Sequence, residues 1–370
     1  MPQVLVSYLK PGSTLSSDVV TSLGGLLFEK GRKLYEREIE ILEAFLIEEV
    51  TVAESHPHQP KGKDLVKPTE EKEIVPPSSE VVPKPPQPIV LTFEQHFFRC
   101  VQFFRSMFQS VQGGLPIPIH ELSESLHPLI QAPIELSNIM TTLKQNYPLD
   151  DYTYYHCISV GYLSACIARW SRFPNQEIMP LALTGVLHDI GKSKIDSSIL
   201  YKPEKLSISE MKEIRKYPVY GYHLVKANPS ISEGVALGVL QHQEREDGSG
   251  YPLGLQSASI HVYAKIIAIS DIFHAMCSSK IYKQGYSPYI VLEQLLSDSF
   301  GKLDPAFVRS FVEGMTQFSI GTDVELQDGT VGKIVFVDTS QPTRPMVDVK
   351  GKIINLSANR NVYIKQVLVD

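Results

Sequence analysis

The sequence predicts a mainly α chain: an all-α helical domain flanked by a small N-terminal α/β module and a small C-terminal β-barrel or sheet. Three observations carry that prediction. Apolar residues recur at helical spacing from Thr92 to about residue 316. From Ile320 the period drops to two, the spacing of strands. Between the N-terminal module and the helices, residues 56–89 hold nine prolines and no aromatic residue, a composition that cannot bury a core. The expected divisions are therefore 1–55, a proline-rich disordered linker over 56–89, 90–316 and 317–370.

Taken in order, Val4, Val6 and Val19-Val20 suggest short strands. Gly24 to Gly31 reads as a strand bounded by turns, Arg37 to Phe45 as a helix, and Glu49 to Val52 as a closing strand. Nothing in this module carries chemistry, so docking is its expected use. In the linker, His56 and His58 are solvated tail residues rather than ligands. Thr92 should cap a helix whose stripe is Phe93, Phe97, Val101, Phe104, Phe108 and Val111, ended by Gly113-Gly114. Near the C-terminus, Val324 to Leu326 and Gly332 to Val337 flank an Asp328-Gly329 turn. Val347 to Val349, Ile353-Ile354 and Val362 to Val369 follow as strands.

Composition limits the functions available. A net charge of −6 supplies no global field toward DNA or anionic lipid, so a phosphate ligand needs local cations. The four cysteines are scattered in predicted helices with no CxxC pair, and read as small buried hydrophobes of a reduced compartment. No run approaches the ~20 apolar residues of a membrane span. Cytoplasmic residence is the expectation.

The most informative stretch is Leu187-His188-Asp189-Ile190-Gly191-Lys192, at the end of an apolar helical run. A carboxylate entering apolar surroundings needs a partner, and a divalent metal would also use the adjacent histidine. His156 sits with Val160, Leu163 and Ile167 on nearby turns, so it faces the core. Asp271 lies in an apolar helix beside Ile267 and Ala275. Either alone has a bland explanation, as a satisfied core histidine or a buried acceptor. Two inward aspartates, two inward histidines and a following lysine are hard to explain without a metal. Two nitrogens and two carboxylates suit Mn, Fe, Co, Ni or Zn better than Ca. His242 ends a further helix, and Asp247-Gly248-Ser249-Gly250-Tyr251-Pro252 after it is turn chemistry.

Together, Tyr152 to His156, His188 to Lys192, Asp247 to Pro252 and the Asp271 helix resemble the HD-GYP family of cyclic-di-GMP phosphodiesterases, a branch of the HD hydrolases. The match covers roughly residues 145 to 315, and the flanking modules are similar to those of Bacillus-type members. The resemblance implies an HD-type helical catalytic domain with two metals, in some members three. It assigns His156, His188, Asp189 and Asp271 to the first ion, with Asp189 bridging to the second. The second ion would use His242 and two further histidines, which here are Tyr217 and Gln243. The acidic residue serving a third ion is Tyr152 here. Gln243 offers a poor ligand and Tyr217 titrates near 10, so one divalent transition ion (Fe, Mn, Co or Ni) is expected, with a second weak or absent.

On the substrate side the resemblance assigns phosphate contacts to Lys192, Lys280 and Lys283, each of which is otherwise an ordinary solvated cation. Where Lys280 stands the family usually has arginine, so bidentate recognition is lost while the charge stays. Tyr251 stacks on a purine or packs the loop. Glu244 and Asp247 read as turn or supporting residues, and His223, His261 and His274 as incidental. Two functions follow. One is a phosphodiesterase acting on cyclic-di-GMP or a related nucleotide, with Asp189 and Lys192 in catalysis. The other is an inactive nucleotide sensor or scaffold that passes its signal to protein partners through the terminal modules. DNA and membrane are not expected partners.

Overall fold

The computed structural model describes residues 3–20, 26–35, 37–39, 42, 47, 49–53, 91–143, 151–278, 285–317 and 320–368. The chain divides into two compact units, Met1–Pro85 and Pro86–Asp370. Among the described residues of the first, three antiparallel strand pairs surround a small core. These pairs are β1 (Gln3–Leu5) with β6 (Glu49–Thr51), β2 (Ser13–Thr14) with β5 (Lys33–Leu34), and β3 (Val19–Val20) with β4 (Leu26–Phe28). Val6, Leu15, Val19, Leu34, Leu42 and Val50 are buried together. Val6 itself lies in a short 3-10 turn rather than a strand. The whole predicted linker, 56–89, falls outside the described residues, and so does most of Arg37 to Phe45.

The second unit is mainly helical. Helix α1 (Phe93–Gln112) opens with the expected cap: the Thr92 hydroxyl accepts from the Gln95 amide while the Gln95 side chain accepts from the Thr92 amide. Its stripe is buried at Phe97, Val101, Phe104, Phe108 and Val111, with Cys100 and Met107 filling the turns between. Gly114 takes the left-handed φ of +98° that ends the helix. Helices α2 (Ile119–Gln131) and α3 (Leu136–Thr142) follow.

The centre of the unit is α4 (Tyr152–Trp170), packed against α5 (Asn175–Leu187) and α10 (Val262–Cys277). Every residue of α4 from Tyr154 to Ala168 is buried. A helix covered on all sides has no need of a polar face, which explains its weak amphipathic pattern. Gly161 and Gly185 let α4 and α5 approach: a Cβ on Gly185 would stand 2.7 Å from the Gly161 Cα. That closeness brings the start of α4 toward the end of α5. After α5 come a 3-10 turn (Ile190–Lys194), α6 (Ser197–Leu200), α7 (Ile208–Ile214), α8 (Tyr217–Lys226) and α9 (Glu233–Gln241). The 3-10 turn presses on α8 at Gly191, where a Cβ would lie 1.9 Å from the Tyr217 carbonyl oxygen.

Helices α11 (Pro288–Asp298) and α12 (Pro305–Gln317) lead to five antiparallel strands: β7 (Asp323–Leu326), β8 (Val331–Phe336), β9 (Met346–Val349), β10 (Lys352–Asn355) and β11 (Ile364–Leu368). Their order in the sheet is β10-β9-β8-β7-β11, and the Asp328-Gly329 turn joins β7 to β8 with Gly329 at φ +84°. The sheet docks on α11. Tyr289 enters its core beside Val324, Ile334 and Ile364, and Arg344 pairs with Glu293.

Candidate metal centre

Three helices converge on one buried cluster. His156 comes from the first turns of α4, His188 caps the end of α5 with Asp189 next to it, and Asp271 lies midway along α10. The His156 Nε2 stands 3.1 Å from Asp271 Oδ1 and 3.9 Å from Asp189 Oδ2. The His188 Nε2 stands 3.4 Å from Asp189 Oδ2 and 4.0 Å from Asp271 Oδ1. Donors about 2.1 Å from a shared ion stand about 3.0 Å apart at right angles and about 4.2 Å apart when opposite. All four separations fall inside one such shell.

The hydrogen bonding points the same way. His188 Nδ1 lies 2.6 Å from the Gly185 carbonyl, which can only accept, so that nitrogen carries the proton and a neutral ring aims a bare Nε2 at the cluster. Among the described residues, neither that Nε2 nor Asp189 Oδ1 has a hydrogen-bond partner, although both are buried. An unpartnered lone pair beside an unpartnered carboxylate oxygen is costly. A cation between them removes the cost, so these residues fit a divalent metal.

Without that cation, the carboxylates are offset by protons and by Lys192. Burial pushes Asp189 up, but His188, Lys192 and His156 outweigh it and hold its carboxyl well below the usual range. Asp271 is likewise lowered: burial opposes this, and the hydrogen bond from His156 and the charge of His188 prevail. His188 is raised, because Asp189 outweighs its burial. A proton on His188 and a bound cation are thus alternative ways to neutralise the same pair. The Lys192 ammonium sits 2.5 Å from Asp189 Oδ2, and 5.1 Å from the centre of the Tyr217 ring.

Next to this shell, His242 is already engaged. Its Nδ1 faces the Val239 carbonyl at 2.7 Å, and its Nε2 lies 2.7 Å from the Tyr217 hydroxyl. Since Nδ1 donates, Nε2 accepts from the tyrosine. Burial, then Asp189, pushes the Tyr217 phenol well above 10, so it stays a hydrogen-bond donor. Gln243 donates its amide to Asp271 Oδ2 at 3.0 Å. His188, His242 and Asp271 still form a group whose ligand atoms all lie within 4.8 Å of one another. Within it, Tyr217 and Gln243 supply protons where a second ion would need lone pairs.

Tyr251 neighbours Tyr217, and the exposed Arg215 guanidinium lies 5.1 Å from the Tyr251 ring centre. Glu244, buried, accepts from the amides of Leu253 and Leu255 and braces the loop, while Asp247 accepts from Ser249 within it. Lys280 and Lys283 lie outside the described residues. His223 and His261 make no part of the cluster, His261 being the N-cap of α10. His274 is different from its expectation as incidental: its Nδ1 stands 2.8 Å from the Nδ1 of His156. The signal in the sequence was its position three residues after Asp271, on the same helical face. Arg215 was also missed, since one basic residue on an exposed turn carries no signature.

Residues 153–307 match the HD domain family. A cyclic di-GMP phosphodiesterase of Pseudomonas aeruginosa is 30% identical over 265 residues, covering 72% of this chain and 63% of that protein. The cyclic di-GMP phosphodiesterase PdeB of Borreliella burgdorferi is 28% identical over 229 residues, covering 59% and 60%. A 3'3'-cGAMP-specific phosphodiesterase of Vibrio cholerae is 29% identical over 205 residues, covering 54% and 45%. The chain therefore spans about three fifths, or less, of the length of these relatives. Among the described residues, no helix is long and apolar enough to cross a membrane.

Proposed function

Because residues 153–307 match the HD domain family, we propose that the chain is a metal-dependent phosphodiesterase of cyclic dinucleotides, cyclic-di-GMP foremost, working with one firmly held divalent ion. The observation that carries this reading is the buried convergence of His156, His188, Asp189 and Asp271 with an orphaned nitrogen and an orphaned oxygen between them. The relatives named as cyclic di-GMP and cGAMP phosphodiesterases support the substrate class.

His156, His188, Asp189 and Asp271 would hold the ion, and two imidazoles with two carboxylates suit Mn, Fe, Co or Ni. When bound, such an ion supplies a Lewis acid and lowers the pKa of water. The protein's own groups do the remaining work. Hydrolysis forms a phosphorus–oxygen bond to water and breaks the one to the ribose oxygen, so negative charge grows on the phosphoryl oxygens. Lys192 offers its ammonium to that charge while its contact with Asp189 keeps it at the cluster. The Tyr217 hydroxyl occupies the His242 Nε2 lone pair that a second ion would need, and the Gln243 amide likewise occupies one oxygen of Asp271. Tyr251, with Arg215 against its face, is placed to stack on a base. Lys280 and Lys283 are proposed as phosphate contacts on the resemblance alone.

The closure of the second position also favours a slower or silent centre that senses the nucleotide, and one experiment separates the two. The purified full chain and the double variant Tyr217→His with Gln243→His are analysed for bound metal and assayed on cyclic-di-GMP. About one ion and formation of linear dinucleotide by the unaltered chain supports the proposal. No turnover, with turnover gained only in the double variant, selects the sensor. Two ions in the unaltered chain contradicts the closure by Tyr217 and Gln243.

A further inference from the structure

We propose that Arg215 is a specificity-determining residue of the candidate site: with Tyr251 it forms a subsite for a purine and selects guanine over adenine. The inference rests on the cyclic-dinucleotide reading above and deepens it, naming the base that the site prefers and the residue that reads it.

The excursion that carries Arg215 buries none of its helical residues, in α6 or in α7. Its own polar contacts hold it instead. Ser207 and Glu210 form a capping box, and the Lys202 ammonium lies 2.7 Å from the Glu210 carboxylate. Glu213 accepts from Lys216 at 2.6 Å and from the Tyr220 hydroxyl at 3.0 Å. Both carboxylates of α7 are thereby taken. Among the described residues the Arg215 guanidinium has neither a hydrogen bond nor an ion pair, and its contact is the Tyr251 ring, 5.1 Å from the centre. A fork of donors is left open beside an aromatic face. Met211, one turn earlier on the same face of the helix, is exposed and adds apolar surface.

That surface lies where a base would fall. Lys192 touches Asp189 and stands 5.1 Å from the Tyr217 ring centre, and Tyr251 neighbours Tyr217. From the cluster outward the order is therefore Lys192, Tyr217, Tyr251, Arg215. A phosphate at the ion and Lys192 is joined to its base through one ribose, which carries the base past Tyr217 to Tyr251. Guanine presents two acceptors, O6 and N7, on one edge, whereas adenine presents N7 beside its N6 donor. A guanidinium only donates, so it pairs with both guanine atoms and meets the adenine amino group donor to donor. A phosphate contact would serve every dinucleotide alike. The seat of Arg215 on an aromatic ring, rather than beside Lys192, favours the base.

The test uses the full chain loaded with Mn2+, titrated with cyclic-di-GMP and with cyclic-di-AMP and read as Kd, or as KM where turnover occurs. The unaltered chain should prefer cyclic-di-GMP. Arg215→Met keeps a stem for the Tyr251 ring and removes the donors. It should lower that preference roughly 5–20-fold, the lower part of the range for a bidentate pair because the site is exposed, and leave cyclic-di-AMP within about twofold. Arg215→Gln, whose amide both donates and accepts, suits adenine and should lower the ratio at least as far. A ratio that stays within twofold of the unaltered chain's in either variant overturns the proposal. Where both ligands weaken equally, Arg215 is a phosphate contact instead. An unaltered chain that binds the two alike, or prefers cyclic-di-AMP, also overturns it and leaves the phosphodiesterase reading standing. An unaltered chain that binds neither dinucleotide strikes that reading and this one together.

Discussion

Acid should weaken the metal-free protein through His242, and the size can be worked out. Burial, then the neighbouring His188, lowers the His242 pKa from 6.5 to about 3. Both act against a proton, and the ring's two nitrogens are already committed to Val239 and Tyr217. A folded pKa below the unfolded one favours the neutral ring in the native state. That contribution is present above pH 6.5 and is lost as pH falls from 6.5 toward 3, because the unfolded chain binds the proton first. At pH 7 the term is only a few tenths of a kcal/mol, and by pH 5 it has grown to about 2 kcal/mol against folding. The perturbation is His242→Gln, which removes the titration. Guanidinium unfolding of both chains in EDTA at pH 7 and pH 5 checks it. The unaltered chain should lose about 2 kcal/mol more than the variant between the two pH values. Equal losses in the two chains, within about 0.5 kcal/mol, would refute the reasoning.

Further outcomes follow from the same site. Gly191→Ala would set a Cβ 1.9 Å from the Tyr217 oxygen and 2.4 Å from the Gly221 nitrogen, both backbone atoms that have no room to yield. Thermal unfolding should show a loss at or above the ~1–3 kcal/mol usual for overpacking. Lys192→Met leaves Asp189 without its ammonium, and should cost the metal-free chain about 3 kcal/mol in denaturant, part of it recovered by saturating Mn2+. Because Asp189 raises the proton affinity of His188, the ion competes with that proton. Mn2+ affinity measured by calorimetry should therefore fall as pH is lowered from 8 to 6, with proton release on binding.

Much of the architecture was legible because local chemistry and tertiary packing agree. Thr92 and Gln95 form a cap that needs no distant partner, and Asp328-Gly329 makes its hairpin from turn geometry alone. The convergence of His156, His188, Asp189 and Asp271 was legible for another reason. Polar groups on apolar helices must find each other or a cation, whatever the route of the chain between them. What escaped were contacts whose meaning depends on direction. Tyr217 and Gln243 read as lost ligands, yet they stand as donors to His242 and Asp271, Tyr217 through the packing of α8 on the turn at Gly191. His274 meets His156 across 118 residues, through a pairing of nitrogens that helical spacing places nearby without orienting. The docking of the C-terminal sheet on α11 through Tyr289 and Arg344 has no local signature either, since both residues are ordinary for the elements that carry them.

The central claim is that four side chains from three helices share a single ion. Crystals soaked in Mn2+ and measured at the manganese absorption edge test it most directly. The account predicts one strong anomalous peak within about 2.0–2.3 Å of His156 Nε2, His188 Nε2 and an oxygen each of Asp189 and Asp271. No peak there, or a peak bound through His242 with His156 turned away, would contradict it.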